Sequence, residues 1–263
     1  MTTFCPLFSS SKGHCIYIGA PDGGILIDAG KSCRQTETAL HNIGVAPDSI
    51  RAVFVTHEHS DHISGLRVFA SKYGARVYAS GGTLEALDEM QILNGEFDAY
   101  ALGEQGTGVG SLFIRSFRTS HDSRESCGYV IAAESGERVA IATDLGVLTP
   151  PVHEALSGCD LVALESNYDL HMLRSGPYPY YLRSRIESTR GHLSNDECAA
   201  KLLELVQEGC KKFALCHLSQ ENNTPMLALQ TVFNTFGAAG VIPEKDCVVQ
   251  TQRRNEVSPV LEF

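Results

Sequence analysis

The sequence predicts a mixed α/β protein in which two sheets form the core and helices cover them. Three observations carry that expectation. Strand-like and helix-like runs alternate without a clean strand–helix–strand rhythm, and hairpins are mixed in. This favours a two-sheet core over an open parallel sheet. Histidines and aspartates recur directly after predicted strands, and strand ends along one sheet edge are where folds tend to build sites. No repeat, low-complexity segment or linker divides the chain, so one domain over residues 1–263 is expected.

Composition narrows the function classes. Apolar residues make up 43% of the chain, enough for a full hydrophobic core. A formal net charge of −10 argues against gripping nucleic acid through overall charge, while leaving room for a local basic groove. No apolar run approaches the length needed to cross a bilayer. The start, Met1-Thr2-Thr3-Phe4-Cys5-Pro6, lacks the basic segment and apolar core of a secretory signal. Nine cysteines without a Cys-x-x-Cys pair speak for a reducing cytoplasm, not a disulfide framework or zinc ribbon. Cys15, Cys159 and Cys216 read as small core residues.

In chain order, Phe4–Phe8, His14–Ile18 and Gly24–Ile27 read as short strands separated by turn residues. Asp28 closes the third, as a cap or as something more. A helix is expected over Cys33–Ile43, stopped by Gly44, and then a strand over Arg51–Val55. Ile63, Leu66, Ala70 and Tyr73 recur at helical spacing. A strand at Arg76–Ala79 and a helix at Thr83–Met90 follow, and the glycine-rich Leu102–Ser111 reads as a loop or wide hairpin. Leu112–Phe117 is a strand ending near His121; Cys127–Ala133 and Arg138–Ala142 form a hairpin whose second arm leads to Asp144. Thr149-Pro150 opens a helix with an N-cap threonine and a first-turn proline. Asp160–Leu164 is a buried strand followed by Glu165, and Gly176–Tyr181 is an aromatic, proline-rich connection. Ser194-Asn195-Asp196-Glu197 is a capping-box pattern. Lys212–Cys216 is a strand ending at His217; Thr224-Pro225 starts a last helix with Met226, Leu229 and Phe233 inward, and a final strand lies near Cys247–Thr251.

The densest chemistry lies in Thr56-His57-Glu58-His59-Ser60-Asp61-His62, at the exit of the Arg51–Val55 strand. On an extended exit His57 and His59 point to the same side, while Asp61 and His62 fall where a helix starts. Two ligand pairs leaving one turn in different directions suit two neighbouring cations better than one, since a tetrahedral ion needs only three or four protein ligands. His121 and His217 gain weight as ligands only as a set with this cluster. His14, His41, His153 and His171 read as ordinary surface or core histidines.

His57-x-His59-x-Asp61-His62, with Asp28 before it and His121, Asp144 and His217 after it, resembles the metallo-β-lactamase fold superfamily over about residues 5–250. The tracts Gly176-Pro177-Tyr178-Pro179-Tyr180-Tyr181-Leu182, Arg190-Gly191-His192-Leu193-Ser194-Asn195 and His217-Leu218-Ser219-Gln220-Glu221-Asn222-Asn223 are similar to its small stand-alone YycJ/WalJ branch. That branch is regarded as DNA exonuclease-like and is often linked to a bacterial cell-wall two-component system.

The resemblance implies a four-layer αββα sandwich with the site at one end. It implies that His57, His59 and His121 bind a first divalent metal and that Asp61, His62 and His217 bind a second. Asp144 would bridge the two, and Asp28 would support the site from behind. Zn²⁺, Mn²⁺ and Fe²⁺ all suit such ligands. Two ions at roughly 3.5–4 Å hold a bridging hydroxide and stabilise attacking and leaving oxygens, so Asp61, His192 and Glu165 are the expected catalytic residues, with Glu165 orienting His192. A purely structural part for His192, entering the helix at Ser194, stays open. Arg183, Arg185 and Arg190 suit phosphate contact and equally a solvated helix face. Tyr178, Tyr180 and Tyr181 suit base stacking or plain loop packing.

The expected function is a two-metal phosphodiesterase or DNA nuclease. The chain has no room for the inserted domain or protruding arm of the larger nucleases of this superfamily, and its acidity sits awkwardly with a long polyanion. A hydrolase of small esters, thioesters, lactones or cyclic phosphates is therefore the alternative. A metal-stabilised binding protein without turnover is disfavoured by the complete ligand set, and lactamase activity proper by Asp61-His62 together with Asp144.

Overall fold

The computed structural model describes residues 2–251 and 257–263. The chain begins β1 (Thr3–Ser10), β2 (Gly13–Ala20), β3 (Gly23–Ile27), α1 (Cys33–Asn42), β4 (Ile50–Phe54), α2 (Ser60–Ile63) and α3 (Leu66–Tyr73). It continues β5 (Arg76–Ala79), α4 (Gly81–Glu89), β6 (Ala99–Ala101), β7 (Thr107–Val109), β8 (Leu112–Arg118), β9 (Cys127–Ala133) and β10 (Arg138–Ala142). Then come α5 (Pro150–Leu156), β11 (Leu161–Glu165), α6 (Leu170–Ser175), α7 (Tyr180–Ile186) and α8 (Asn195–Gln207). The last elements are β12 (Lys212–Cys216), α9 (Pro225–Ala238), β13 (Val248–Thr251) and β14 (Leu261–Glu262).

Two seven-stranded sheets result, ordered β14-β1-β2-β3-β4-β5-β6 and β13-β12-β11-β10-β9-β8-β7. The runs β3 to β6 and β10 to β13 are parallel. Strand β4 shows how sequence produces the layers. Its period of two sends Ala52 and Phe54 into the layer between the sheets, and Val53 and the following Val55 toward the helices. Both faces are dry, which is why the strand reads as a nearly continuous apolar run. Ile16, Ile27 and Phe54 meet Tyr129, Ile141 and Ala163 in the central layer. Leu40, Phe69 and Leu87 of α1, α3 and α4 cover the first sheet. Val152, Leu202 and Phe236 of α5, α8 and α9 cover the second. The order is αββα, as the resemblance implies. Among the described residues no helix is long and apolar enough to cross a membrane.

Capping decides where α8 begins: Ser194 accepts from the Glu197 backbone while the Glu197 side chain returns to Ser194. Several expectations need correction. Met226 is not inward but 80% exposed, because it lies two residues, about 200° of helical turn, from the buried stripe Ala228, Val232 and Phe236. The helix expected to run unbroken through Ile63, Leu66 and Tyr73 is interrupted between α2 and α3. There Gly65 donates its N–H to the Ala29 carbonyl at 2.8 Å, and a Cβ at Gly65 would lie 1.9 Å from the Lys31 carbonyl oxygen. Helix α7 begins inside the stretch read as a proline-rich connection, with Pro179 as its N-cap residue. Strands β6 and β14 and helix α6 carry too few residues for a period to show.

Gly30 is the counterpart of Gly65, for a Cβ there would lie 1.6 Å from the Asp61 carbonyl oxygen. The turn after β3 and the turn carrying the histidine cluster are thus pressed backbone to backbone. Gly30→Ala is expected to destabilise the protein by about 1–3 kcal/mol through overpacking and to weaken metal retention as Asp61 is displaced. Chemical denaturation with metal analysis of the purified variant checks both.

Candidate metal centre

Parallel pairing brings strand ends level, with Ile27 opposite Phe54, Ala142 opposite Leu164, and Glu165 opposite Cys216. The chain turns sharply just beyond. Asp28, Asp144 and His217 adopt left-handed backbone angles, φ of 61°, 56° and 55°, a conformation costing on the order of 1 kcal/mol or more for a non-glycine residue. These kinks turn the side chains off the sheet and into a common space.

His57, His59 and His121 offer ligand atoms within 4.8 Å of one another, and so do Asp61, His62 and His217. Asp61 Oδ2 lies 3.7 Å from His62 Nε2 and 3.6 Å from His217 Nε2. Asp144 stands between the groups, with Oδ2 3.2 Å from His62 Nε2 and Oδ1 3.7 Å from His121 Nε2. Ligands bonded to a tetrahedral ion at about 2.0–2.2 Å lie roughly 3.3–3.6 Å apart, so these separations suit shared cations.

The hydrogen bonds make the same point. His57 Nδ1 meets Thr56 Oγ1 at 3.0 Å, and His62 Nδ1 meets Asp28 Oδ2 at 2.7 Å. His121 Nδ1 meets the Gly191 carbonyl at 3.0 Å, and His217 Nδ1 meets Glu165 Oε1 at 2.8 Å. With Nδ1 protonated and held, each Nε2 presents a lone pair. Among the described residues His57 Nε2 is buried without a hydrogen-bond partner, and His62 Nε2, His217 Nε2 and Asp144 Oδ2 meet only one another or Asp61, at 3.2–3.7 Å. Orphaned buried acceptors facing one another are costly in a protein interior, and a divalent cation is the species that satisfies them together. The donor set fits such ions, and no cysteine belongs to it.

Electrostatics follow from the crowding. Burial pushes the His57 imidazole well below its usual range. Burial acts the same way, and as the largest single influence, on His62 and His217, but the nearby acids together outweigh it, Asp144 and Asp28 at His62 and Asp144, Asp61 and Glu165 at His217. His62 therefore rises well above its ordinary value, and His217 rises to about 10. Burial opposes ionisation of Asp144, yet His217 and His62 hold it well below the usual carboxylate range. Glu165, despite burial, falls to about 2 beside His192 and His217.

Glu165 is fully buried. Its Oε1 meets His192 Nδ1 and His217 Nδ1, both at 2.8 Å, and its Oε2 accepts from Leu145 and Leu193 N–H. The His192 side chain keeps 17% exposure and its ring lies 5.1 Å from that of His121. Asp28 is buried behind His62. The arginines are engaged by the protein itself. Arg185 pairs with Asp122 at 2.5 Å, Arg190 donates to the His121 carbonyl, and Arg183 donates to the Arg174 carbonyl. Tyr180 and Tyr181 are exposed, at 78% and 74%, whereas Tyr178 packs against the small cluster of Tyr168, Leu173 and Ile186.

His14, read as an ordinary surface or core histidine, lies in the core and against the site. It is fully buried, its Nδ1 lies 3.0 Å from Asp28 Oδ2, and its ring stacks on His62 at 5.0 Å. Pairing places it there: β2 runs antiparallel to β3, so the start of β2 shares a sheet edge with the end of β3. Thr56, Asn167 and Glu58 are further residues whose part only the fold reveals. Asn167 Nδ2 donates to the His217 carbonyl at 2.7 Å, and Glu58 accepts from Arg124 N–H at 2.7 Å, tying the histidine cluster to the His121 loop.

A family model described as the beta-lactamase superfamily domain matches residues 24–217. Exodeoxyribonuclease YycJ of Bacillus anthracis is 33% identical over 239 residues, covering 90% of each chain. Exodeoxyribonuclease WalJ of Streptococcus pneumoniae is 33% identical over 262 residues, 98% of this chain and 96% of that one. The crystal structure of the metallo-β-lactamase fold protein YhfI from Bacillus subtilis superposes with a TM-score of 0.74 at 15% identity, covering 98% of both chains.

These titrations set the pH response of chelator-treated protein. His217, raised from 6.5 to about 10, stabilises the fold fully below 6.5 and ceases to do so as pH rises through about 10. Glu165, lowered from 4.5 to about 2, stabilises it above 4.5 and ceases to as pH falls through about 2. The metal-free melting temperature is expected to be highest between those windows and to decline steadily on the alkaline side. Metal should flatten the decline by replacing the proton. Thermal scans with and without chelator test this, and an unchanged metal-free profile from pH 6.5 to 10 contradicts it.

Proposed function

This chain belongs to the beta-lactamase superfamily, in the metallo-β-lactamase fold and the YycJ/WalJ branch, and from that premise we propose that it is a two-metal phosphodiesterase acting on DNA as an exonuclease. The observation that carries the reading is Asp144, whose two oxygens lie within 3.2 and 3.7 Å of imidazole nitrogens from different ligand groups. His57, His59 and His121 would hold one ion, and Asp61, His62 and His217 the other, with Asp144 common to both. Zn²⁺, Mn²⁺ and Fe²⁺ fit these donors. Bound there, divalent ions supply Lewis-acid activation of water and charge neutralisation at a phosphate.

The remaining work falls to the chain's own side chains. His192 has Nδ1 engaged by Glu165, which leaves Nε2 as the ring nitrogen able to meet a substrate. A proton on that Nε2 passes to the leaving oxygen, and the Glu165 carboxylate stabilises the imidazolium before transfer. Asp61 would help His62 and His217 hold the second ion. Tyr180 and Tyr181 offer ring faces to unstacked bases. Arg183 makes no ion pair among the described residues, so its charge is available to a phosphate. Arg185 and Arg190 position the His121 loop and add positive potential beside it. Free, buried cysteines support a reducing cytoplasm, and the central layer shared by both sheets supports one domain over 1–263.

The net charge of −10 favours a second reading, hydrolysis of a small ester, thioester, lactone or cyclic phosphate. Metal analysis of protein purified without added metal, followed by end-labelled DNA, bis-nitrophenyl phosphate, thioester and lactone panels, separates the two. Absence of nuclease activity with Mn²⁺, Zn²⁺ and Mg²⁺ defeats the first. His192→Ala is expected to lower turnover by about 10²–10⁴-fold with metal content unchanged. Asp144→Ala should lose metal as well as activity, measured by elemental analysis on the same preparations.

A further inference from the structure

The residue that the site's chemistry leaves unused is His14. It is fully buried at the start of β2, and nothing in the mechanism above calls on it. Its surroundings are nonetheless specific. Asp28 Oδ1 accepts the Thr56 N–H at 2.8 Å. Asp28 Oδ2 takes Thr56 Oγ1 at 2.9 Å, His62 Nδ1 at 2.7 Å and His14 Nδ1 at 3.0 Å. One oxygen therefore serves two imidazoles, of which only His62 faces the ligand cluster. His14 also covers the face of His62, with ring centroids 5.0 Å apart and planes inclined by 27°. Its own carbonyl accepts the Gly30 N–H at 2.9 Å, which fixes it to the same turn that carries Asp28.

We propose that His14 is a positioning residue for the second metal ion. It holds Asp28 Oδ2 by a hydrogen bond, so that Asp28 keeps His62 Nε2 aimed at the ion that His62 would share with Asp61 and His217. The Asp28 carboxylate is held at Oδ1 by the Thr56 N–H and at Oδ2 by the Thr56 hydroxyl, and the donor from β2 is a further restraint on the oxygen that His62 uses. The first ion should be less affected, because His57 reaches Asp28 only through Thr56 Oγ1, and His59 and His121 have no contact with it. The inference rests on the two-ion reading of the centre.

Two variants separate the hydrogen bond from the packing. His14→Phe keeps a ring against His62 and removes the donor; His14→Asn removes the ring and keeps an amide N–H where Nδ1 stood. Stepwise Zn²⁺ titration by calorimetry of chelator-stripped protein reads both ions, and Asp61→Ala, which removes one ligand of the second group and leaves the first group complete, identifies the steps. His14→Phe is expected to weaken the second step by about 10–100-fold, the usual cost of losing an outer partner of a metal ligand, and the first step by less than about threefold. His14→Asn is expected to stay within about threefold of the parent at both steps. Equal weakening of both steps in His14→Phe, no weakening at all, or loss of the second step in His14→Asn overturns the proposal. If the Phe variant does not fold, His14→Ala, which also removes the donor, takes its place, and an unchanged second step in it overturns the proposal. If the parent takes up a single ion, the two-ion reading fails, and the positioning claim is judged by the Nδ1–H resonance of His62 in metal-free protein. It should persist in the Asn variant and shift or broaden in the Phe variant; an unchanged resonance in both overturns the claim.

Discussion

Four carboxylates, those of Asp28, Asp61, Asp144 and Glu165, are gathered at one edge of the sandwich, and three of them are buried. A dry site holds that much negative charge only against compensating positive charge. Among the described residues no lysine or arginine is buried within the cluster, Arg185 and Arg190 standing at its rim. The positive charge inside is carried by imidazoles, and the neighbouring acids hold His62 and His217 above the ordinary range while burial takes His57 below it. A site whose histidines must be protonated to balance its acids is one that divalent ions enter by displacement of protons. Metal affinity and metal-free stability are thus two readings of the same charge balance.

That balance requires the groups to be brought close by elements that do not move. Asp28, Asp144 and His217 occupy left-handed turns directly after buried parallel strands, so their positions are set by the sheets and not by flexible loops. Gly30 and Gly65 permit the turn after β3 to lie against the turn that carries Asp61 and His62. On the other side, Glu58, Arg185 and Arg190 fasten the segment around His121. The strain at the three turns, of order 1 kcal/mol or more each, is tolerable because the two-sided burial of the strands beneath them is large.

Much of this was legible from the chain alone, and the reasons are physical. Strands buried on both faces announce themselves as apolar runs, and a His-x-His-x-Asp-His turn has few uses besides binding metal. The two-sheet core follows from the first signal, while the order of layers and the full ligand set came with the family resemblance that the second signal carries. What was illegible depended on contacts that only the folded chain makes. His14 precedes its strand, and a search for polar residues after strands passes over it; only the antiparallel pairing of β2 with β3 puts it beside Asp28. Arg185 and Arg190 looked free because Asp122 and the His121 carbonyl approach them across the fold. Met226 looked inward because a first-turn residue carries little information about which way its helix faces.

The two sheets arrive at one device by different routes. On the first sheet, one oxygen of Asp28 holds two imidazoles by Nδ1, and the other oxygen accepts a backbone N–H. On the second, one oxygen of Glu165 holds two imidazoles by Nδ1, and the other accepts two backbone N–H groups. In each pair one ring, His62 or His217, faces the ligand cluster. The partner rings differ in one respect only that matters chemically: the His192 side chain retains 17% exposure, while His14 has none. A ring that reaches solvent can exchange a proton with a substrate; a ring sealed in the interior can act only by holding its neighbour in place. Exposure, not bonding pattern, divides the chemical part from the positioning part.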